Sequence, residues 1–289
     1  MCGVLFWCVA PMIPHDMQAM TMRSLCFACV LMFATAPASA QLIVAHRGAS
    51  HDAPENTLAA FKLAWEQGAD AIETDMHLTR DGRIILIHDK DTKRVAGKDW
   101  KVAEKTFDEL RTLDVGTWKD KRFAGERMPG LAEVLAIVPA DKQFFIEIKC
   151  GPEILPALKA DLAASKVRPQ QLVIISFSAE VIAAAKMELP KIKACWLTSF
   201  KQDKQTQHWS PAADTVMATL KRTSADGLDT NAHDIIDAGF VAKLREAKME
   251  FHCWTVDDPM VARRFVKLGV DSITTNRPGW LREQLKLAR

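Results

Sequence analysis

Glu73 and Asp75 stand two residues apart in Ala71-Ile72-Glu73-Thr74-Asp75, and on an extended chain that spacing sends both carboxylates out of one face. Like charges side by side are costly, more so when buried, unless a cation or a proton lies between them. Glu147 and Lys149 repeat the spacing in Phe145-Ile146-Glu147-Ile148-Lys149. Glu73, Asp75 and Glu147 would offer hard oxygen donors to one divalent cation, Ca²⁺ or Mg²⁺, and no Cys or multi-His set suggests structural zinc. A competing reading pairs Glu147 with Lys149 as a buried salt bridge. His46 ends the apolar run Leu42-Ile43-Val44-Ala45, and His88 is expected at a strand end of its own. Because histidine titrates near neutrality, one ring could take a proton from an attacking hydroxyl or water while the other protonates a leaving alkoxide. Arg47 and Lys149 supply positive charge for a phosphoryl group, arginine in bidentate geometry. Asn56, just ahead of Thr57, is expected to cap a helix, to bond the substrate, or both. His77 shares the parity of the two acids, and a packing role behind them is expected. Phe177 and Trp254 close later apolar runs and would reach the same mouth, with core packing the competing reading for Phe177.

Short apolar runs alternate with helical ones from Gln41 onward. Strand candidates are Leu42 to Ala45, Ala71 to Met76, Phe144 to Ile148, Leu172 to Ser176, Lys191 to Leu197, Gly227 to Thr230, Glu250 to Val256 and Asp271 to Thr274. Helical runs follow nearly all of them, among them Thr57 to Gln67, Leu131 to Val138, Pro259 to Leu268 and Trp280 to Leu287. Eight strand–helix units in about 250 residues predict an α/β protein, a (β/α)8 TIM barrel, in preference to a doubly wound open sheet. The pattern breaks at about residues 89–130, a charged, glycine-punctuated insertion. Coming after the second strand, it is expected at the C-terminal mouth of the barrel.

The chain has 289 residues, 48% hydrophobic and 26% charged, with a formal net charge of +2. That near-balance leaves no basic surface calling for nucleic acid, so any phosphate recognition must be local. Residues 1–40 differ from the rest: Asp16 and Arg23 are their only acidic or basic side chains beside a lone histidine. Arg23, the uncharged stretch Leu25 to Ala36 and Ala38-Ser39-Ala40 read as the three regions of a secretory signal, too short for a membrane span of about 20 residues. Cleavage is expected after Ala40, with Met17, Met20 or Met22 as alternative starts, an uncleaved anchor as the competing reading, and a secreted, periplasmic domain over 41–289. Cys150, Cys195 and Cys253 would remain; three cysteines without CxxC spacing predict packed thiols and no disulfide framework.

These motifs occur together in one order: His46-Arg47-Gly48 after the first strand, Pro54-Glu55-Asn56-Thr57, Glu73-Thr74-Asp75, Ile87-His88-Asp89 after Leu78-Thr79-Arg80-Asp81-Gly82, and Thr274 to Pro278 near the end. In this the chain resembles the glycerophosphodiester phosphodiesterase family over nearly its whole mature length. The resemblance implies that Glu73, Asp75 and Glu147 hold the metal and that His46 and His88 are general acid and base. It further implies that the insertion caps the site, that Asn56 belongs to its polar wall, and that aromatic residues near Phe177 and Trp254 meet the glycerol carbons. The expected substrate is a small-molecule glycerophosphodiester, cleaved to sn-glycerol 3-phosphate and an alcohol. A phosphodiesterase acting on lysophospholipids and a non-catalytic glycerophosphodiester-binding protein are the alternatives.

Overall fold

The computed structural model of the protein describes residues 41–287. The expected signal, residues 1–40, lies outside the described residues. No helix among the described residues is long and apolar enough to cross a membrane.

Eight parallel strands form the barrel: β1 (Leu42–Ala45), β2 (Ala71–Leu78), β3 (Gln143–Ile148), β4 (Leu172–Ser176), β5 (Lys193–Thr198), β6 (Gly227–Asn231), β7 (Glu250–Trp254) and β8 (Ser272–Thr275). They neighbour one another in sequence order, and the ring closes because β1 bonds both β2 and β8, from Leu42 opposite Ser272 to Ala45 opposite Thr275. The strands are apolar on both faces because both are covered. Ile43, Ile72, Phe144, Ile146 and Ile174 point outward into the layer beneath the helices, while Val44, Phe145, Val173, Ile175 and Leu197 fill the barrel. Toward the C-terminal ends of β2 and β3 the inner face turns polar, and there Glu73, Asp75 and Glu147 stand buried.

Helix α1 (Leu58–Glu66) follows β1 and is capped by Thr57, whose hydroxyl accepts from the Ala60 N–H. Asn56 is therefore not the cap. Its backbone lies in the left-handed region (φ 56°), one residue before the position where a cap's side chain can reach the first turn. Gly48 lets the β1–α1 loop press against this helix: its φ is +81°, and a Cβ there would come within 2.6 Å of the Ala60 carbonyl carbon.

The second crossover departs from expectation. β2 runs past the barrel to Leu78, turns at residues 79–83, and returns antiparallel as Ile84–Leu86, with Met76 opposite Leu86. The excursion thus begins at that turn, before residue 89, because the alternating apolar side chains of both arms pair into a hairpin. Residues 87–130 then build a satellite core on the returning strand's Ile85, in which Ile87, Val95, Phe107, Leu110 and Val115 are buried with it. Lys119 donates to the Ser50 carbonyl and Arg122 to that of Asp52, docking this unit on the β1–α1 loop. Cys150, Cys195 and Cys253 are all free thiols.

Candidate active site

The C-terminal ends of the strands enclose a cavity of about 290 Å³ lined by His46, Arg47, Glu73, His88, Glu147 and Lys149 on its polar side and by Phe177, Leu197, Asp229 and Trp254 on the other. Register explains the polar cluster. Asp75 on β2 stands opposite Glu147 on the parallel β3, and Glu73 lies one pleat back on the same face, so side-chain oxygens of all three come within 4.8 Å of one another.

Among the described residues two cations, Arg47 and Lys149, are ion-paired with this triad. Arg47 Nε lies 3.0 Å from Asp75 Oδ2, and Lys149 Nζ lies 2.8 Å from Glu147 Oε1 and 3.5 Å from Asp75 Oδ1. The Glu147–Lys149 salt bridge is therefore present, but as part of the cluster. Glu73 Oε1 and Asp75 Oδ1 are buried without a hydrogen-bond partner. Burial, then repulsion from Asp75, raises the Glu73 and Glu147 carboxyls, Glu147 to about 7. Asp75 goes the other way: burial alone would raise it, but Arg47, Lys149 and the two histidines hold it at about 2. With all three carboxyls ionised, as the ligands of an ion are, three negative charges face two cations and one is left uncompensated. A divalent ion would turn the cluster singly positive, the complement of a phosphodiester's single charge. The orphaned oxygens and the all-oxygen donor set fit such an ion.

Each histidine is oriented by a different device. His46 Nδ1 lies 2.8 Å from Asn276 Oδ1, and Asn276 donates through Nδ2 to Asp257 Oδ2 at 2.6 Å. Asp257 also accepts from the Thr275 hydroxyl and the Asn276 N–H, so the amide cannot turn. With Asn276 Oδ1 obliged to accept, Nδ1 of His46 carries the hydrogen and Nε2 keeps its lone pair. Burial, reinforced by Arg47, lowers this imidazole to about 4, which keeps it neutral. His88 comes from the returning arm of the hairpin instead of a barrel strand end. The Ile87 N–H bonds the Asp75 carbonyl, His77 Nε2 braces the His88 carbonyl at 3.3 Å, and His88 Nδ1 meets Asp89 Oδ1 at 2.7 Å. His77 thus packs behind the acids, as its parity suggests. The Asp89 carboxylate behind the ring holds its orientation.

A model of the glycerophosphoryl diester phosphodiesterase family matches residues 46–280. The chain belongs to that family. It is 36% identical over 242 residues to a glycerophosphodiester phosphodiesterase of Caldanaerobacter subterraneus subsp. tengcongensis, covering 82% of this chain and 94% of that one. It is 29% identical over 255 residues to a Bacillus subtilis glycerophosphodiester phosphodiesterase, covering 82% and 84% of the two chains. The crystal structure of a glycerophosphodiester phosphodiesterase from Agrobacterium tumefaciens superposes with a TM-score of 0.70 at 28% identity, covering 84% and 99%. An Oleispira antarctica phosphodiesterase, solved with its product sn-glycerol 3-phosphate, has the same fold at TM-score 0.74 and 24% identity, covering 86% and 97%.

Within this member of the family one expected substrate contact is otherwise engaged. Asn56 is 3% exposed. Its Nδ2 donates to Asp75 Oδ2 at 2.9 Å, and its Oδ1 accepts from the Thr74 hydroxyl and the Asp75 N–H. The amide's groups are occupied in holding a carboxylate of the triad, so the side chain does not face the cavity. Arg47 lines the cavity, with Nη1 on Glu55 at 3.0 Å, and Glu55 is held in turn by Arg94 from the insertion. Phe177 is 47% exposed at the rim, and its ring meets Trp254 edge-on at 5.6 Å, so both stand on the cavity wall and core packing is excluded for Phe177. Sequence reasoning missed Asp89, Arg94, Asp257 and Asp229. Asp89 was open to it as the neighbour of His88, and Asp229 as the polar inward position of an otherwise apolar strand; Arg94 and Asp257 carry no local signal.

Proposed function

We propose that this chain is an exported, divalent-cation-dependent hydrolase that cleaves glycerophosphodiesters to sn-glycerol 3-phosphate and an alcohol. The observation that carries the reading is the buried triad Glu73, Asp75 and Glu147, with two orphaned oxygens between two oriented histidines. A cation held there would polarise a phosphoryl oxygen and add positive charge at the site. Arg47 and Lys149 neutralise charge building on the phosphoryl group, and the ties of Arg47 to Glu55 and Asp75 fix its guanidinium plane before substrate arrives. His46, neutral with a free Nε2, takes the proton of the attacking hydroxyl or water. His88, backed by Asp89, delivers a proton to the leaving alcohol. The uncharged segment and Ala-Ser-Ala within residues 25–40 support export to the periplasm.

The test is hydrolysis of glycerophosphocholine by the purified protein, before and after chelation, with Mg²⁺, Ca²⁺ and Mn²⁺ returned one at a time. Turnover should vanish with the chelator and return with at least one ion. Turnover untouched by exhaustive chelation, or retained by a His46→Ala, His88→Ala double variant, would overturn the assignment. Lysophosphatidylcholine run in parallel separates the lipid-directed alternative, which would be favoured by preference for the acylated substrate.

A further inference from the structure

Among the titratable side chains lining the cavity, Asp229 is the one that the reaction described above leaves unused. It sits midway along β6, is 1% exposed, and lines the cavity, yet its Oδ1 has no hydrogen-bond partner. It belongs to no ion pair described among residues 41–287. The nearest titratable neighbour by register is His252 on β7, whose Nδ1 is bonded to Ser272 and whose Nε2 faces Glu250 at 3.4 Å. Burial raises the Asp229 carboxyl to about 7. Among the described residues the Thr230 backbone is the carboxyl's one bond within the protein, and a buried oxygen left unpaired is costly, so it asks for a ligand-side explanation.

Its place supplies one. In a closed ring of eight strands β6 stands four strands from β2, across the barrel axis from Glu73 and Asp75. Between the two poles Ile175 and Leu197 make one flank apolar, while Trp254, whose Nε1 is an unpartnered donor, lines the other with Thr255 and Thr274. A phosphoryl group at the triad, Arg47 and Lys149 therefore leaves the rest of the bound substrate pointing across the barrel at a wall whose unpartnered acceptor is this carboxyl. The partner must be a polar group a few carbons from phosphorus. A hydroxyl both donates and accepts, so it satisfies the carboxyl whether or not it is protonated, whereas an ammonium can only donate.

We propose that Asp229 is a specificity-determining residue that bonds the terminal hydroxyl of the substrate's glyceryl group and so selects substrates in which that hydroxyl is free. The proposal rests on the glycerophosphodiesterase reading above. It has a direct consequence: esterification of that hydroxyl, as in a lysophospholipid, removes the donor and brings an ester against a desolvated carboxyl.

The experiment compares sn-glycero-3-phosphocholine with its analogue lacking the terminal hydroxyl, 2-hydroxypropyl phosphocholine, in the wild type, Asp229→Leu and Asp229→Asn. In the wild type the analogue should lose about 10- to 100-fold in kcat/KM, the usual cost of leaving a buried polar group unmatched. In Asp229→Leu the parent should fall by a similar factor and the two substrates converge to within about threefold, while Asp229→Asn, which keeps the shape and can still bond a hydroxyl, retains part of the discrimination. The thermal midpoint of Asp229→Leu should change little, because the bond lost to the Thr230 backbone is offset by removal of a desolvated carboxyl. Persistence of the discrimination in Asp229→Leu would overturn the proposal. So would an equal loss on both substrates with a lowered midpoint, which marks a structural residue, or an effect that follows the alcohol when choline is exchanged for glycerol. A wild type that cleaves neither substrate overturns the functional reading as well; a wild type that cleaves both equally well overturns this proposal alone.

Discussion

Replacing Asn56 by alanine separates two roles that the sequence left open. The structure commits this amide to Thr74 and Asp75, so Asn56→Ala strands a buried hydroxyl and a buried backbone N–H and takes a donor from the Asp75 carboxylate. Each stranded buried group costs about 1–3 kcal/mol, less where it finds a new partner, and an alanine at the φ of 56° adds about 1 kcal/mol. The sum is about 3–5 kcal/mol, and at about 2–4 °C per kcal/mol for a domain of this size the melting midpoint should fall by roughly 10 °C. Asn56→Gly removes the same bonds but relieves the backbone conformation, so it should recover about 1 kcal/mol of the loss. Because Asp75 loses the group that aims it, affinity for the activating cation should weaken by about 10- to 100-fold. Thermal denaturation of the cation-free protein and a titration of activity against cation concentration read both effects. A variant with unchanged midpoint and cation dependence but a raised KM would restore Asn56 to the role of substrate contact and refute the reasoning.

Two further outcomes follow from the titrating groups. His46 has its folded-state value lowered from 6.5 to about 4, so the native state binds fewer protons than the unfolded one between those values, and stability falls as pH drops from about 6.5 to about 4 by up to about 3 kcal/mol. Denaturation midpoints at pH 7 and 4.5 should therefore differ less in His46→Gln than in the wild type; equal differences would refute the enclosure of this ring. Glu147 is raised to about 7 and so is protonated at pH 6 in the cation-free protein, and burial raises Glu73 in the same direction, so binding of the ion should release at least about one proton there and fewer as pH rises. Calorimetry in two buffers of different ionisation enthalpy measures that number, and a value near zero at pH 6 would show that the triad is not the ligand set.

Much of the site was legible because its spacing is local. The i, i+2 acids, the polar residues closing apolar runs and the strand–helix alternation follow from the two-residue period of a strand. That period holds wherever the strand is placed. Once Glu73, Asp75 and Glu147 are assigned to adjacent inward positions of neighbouring strands, their convergence needs only parallel pairing in register. The sequence by itself determined that the domain is a barrel, that acids and imidazoles gather at one mouth, and that a charged insertion interrupts the second crossover.

Barrel closure decided the rest. Asn276 lies 230 residues from His46, and their bond exists only because β8 pairs with β1. His88 reaches the acids because β2 overruns the ring and folds back, a consequence of pairing between two arms that no single run announces. Asn56 looked like a cap or a substrate contact because its type fits both; the positive φ and the buried Asp75 beneath it left it neither. Asp229 acquires meaning only across the axis, where a closed ring sets it opposite the triad. Chain-local periodicity fixes which way a side chain points, but its partner is fixed by which strands become neighbours, and that is a property of the folded ring.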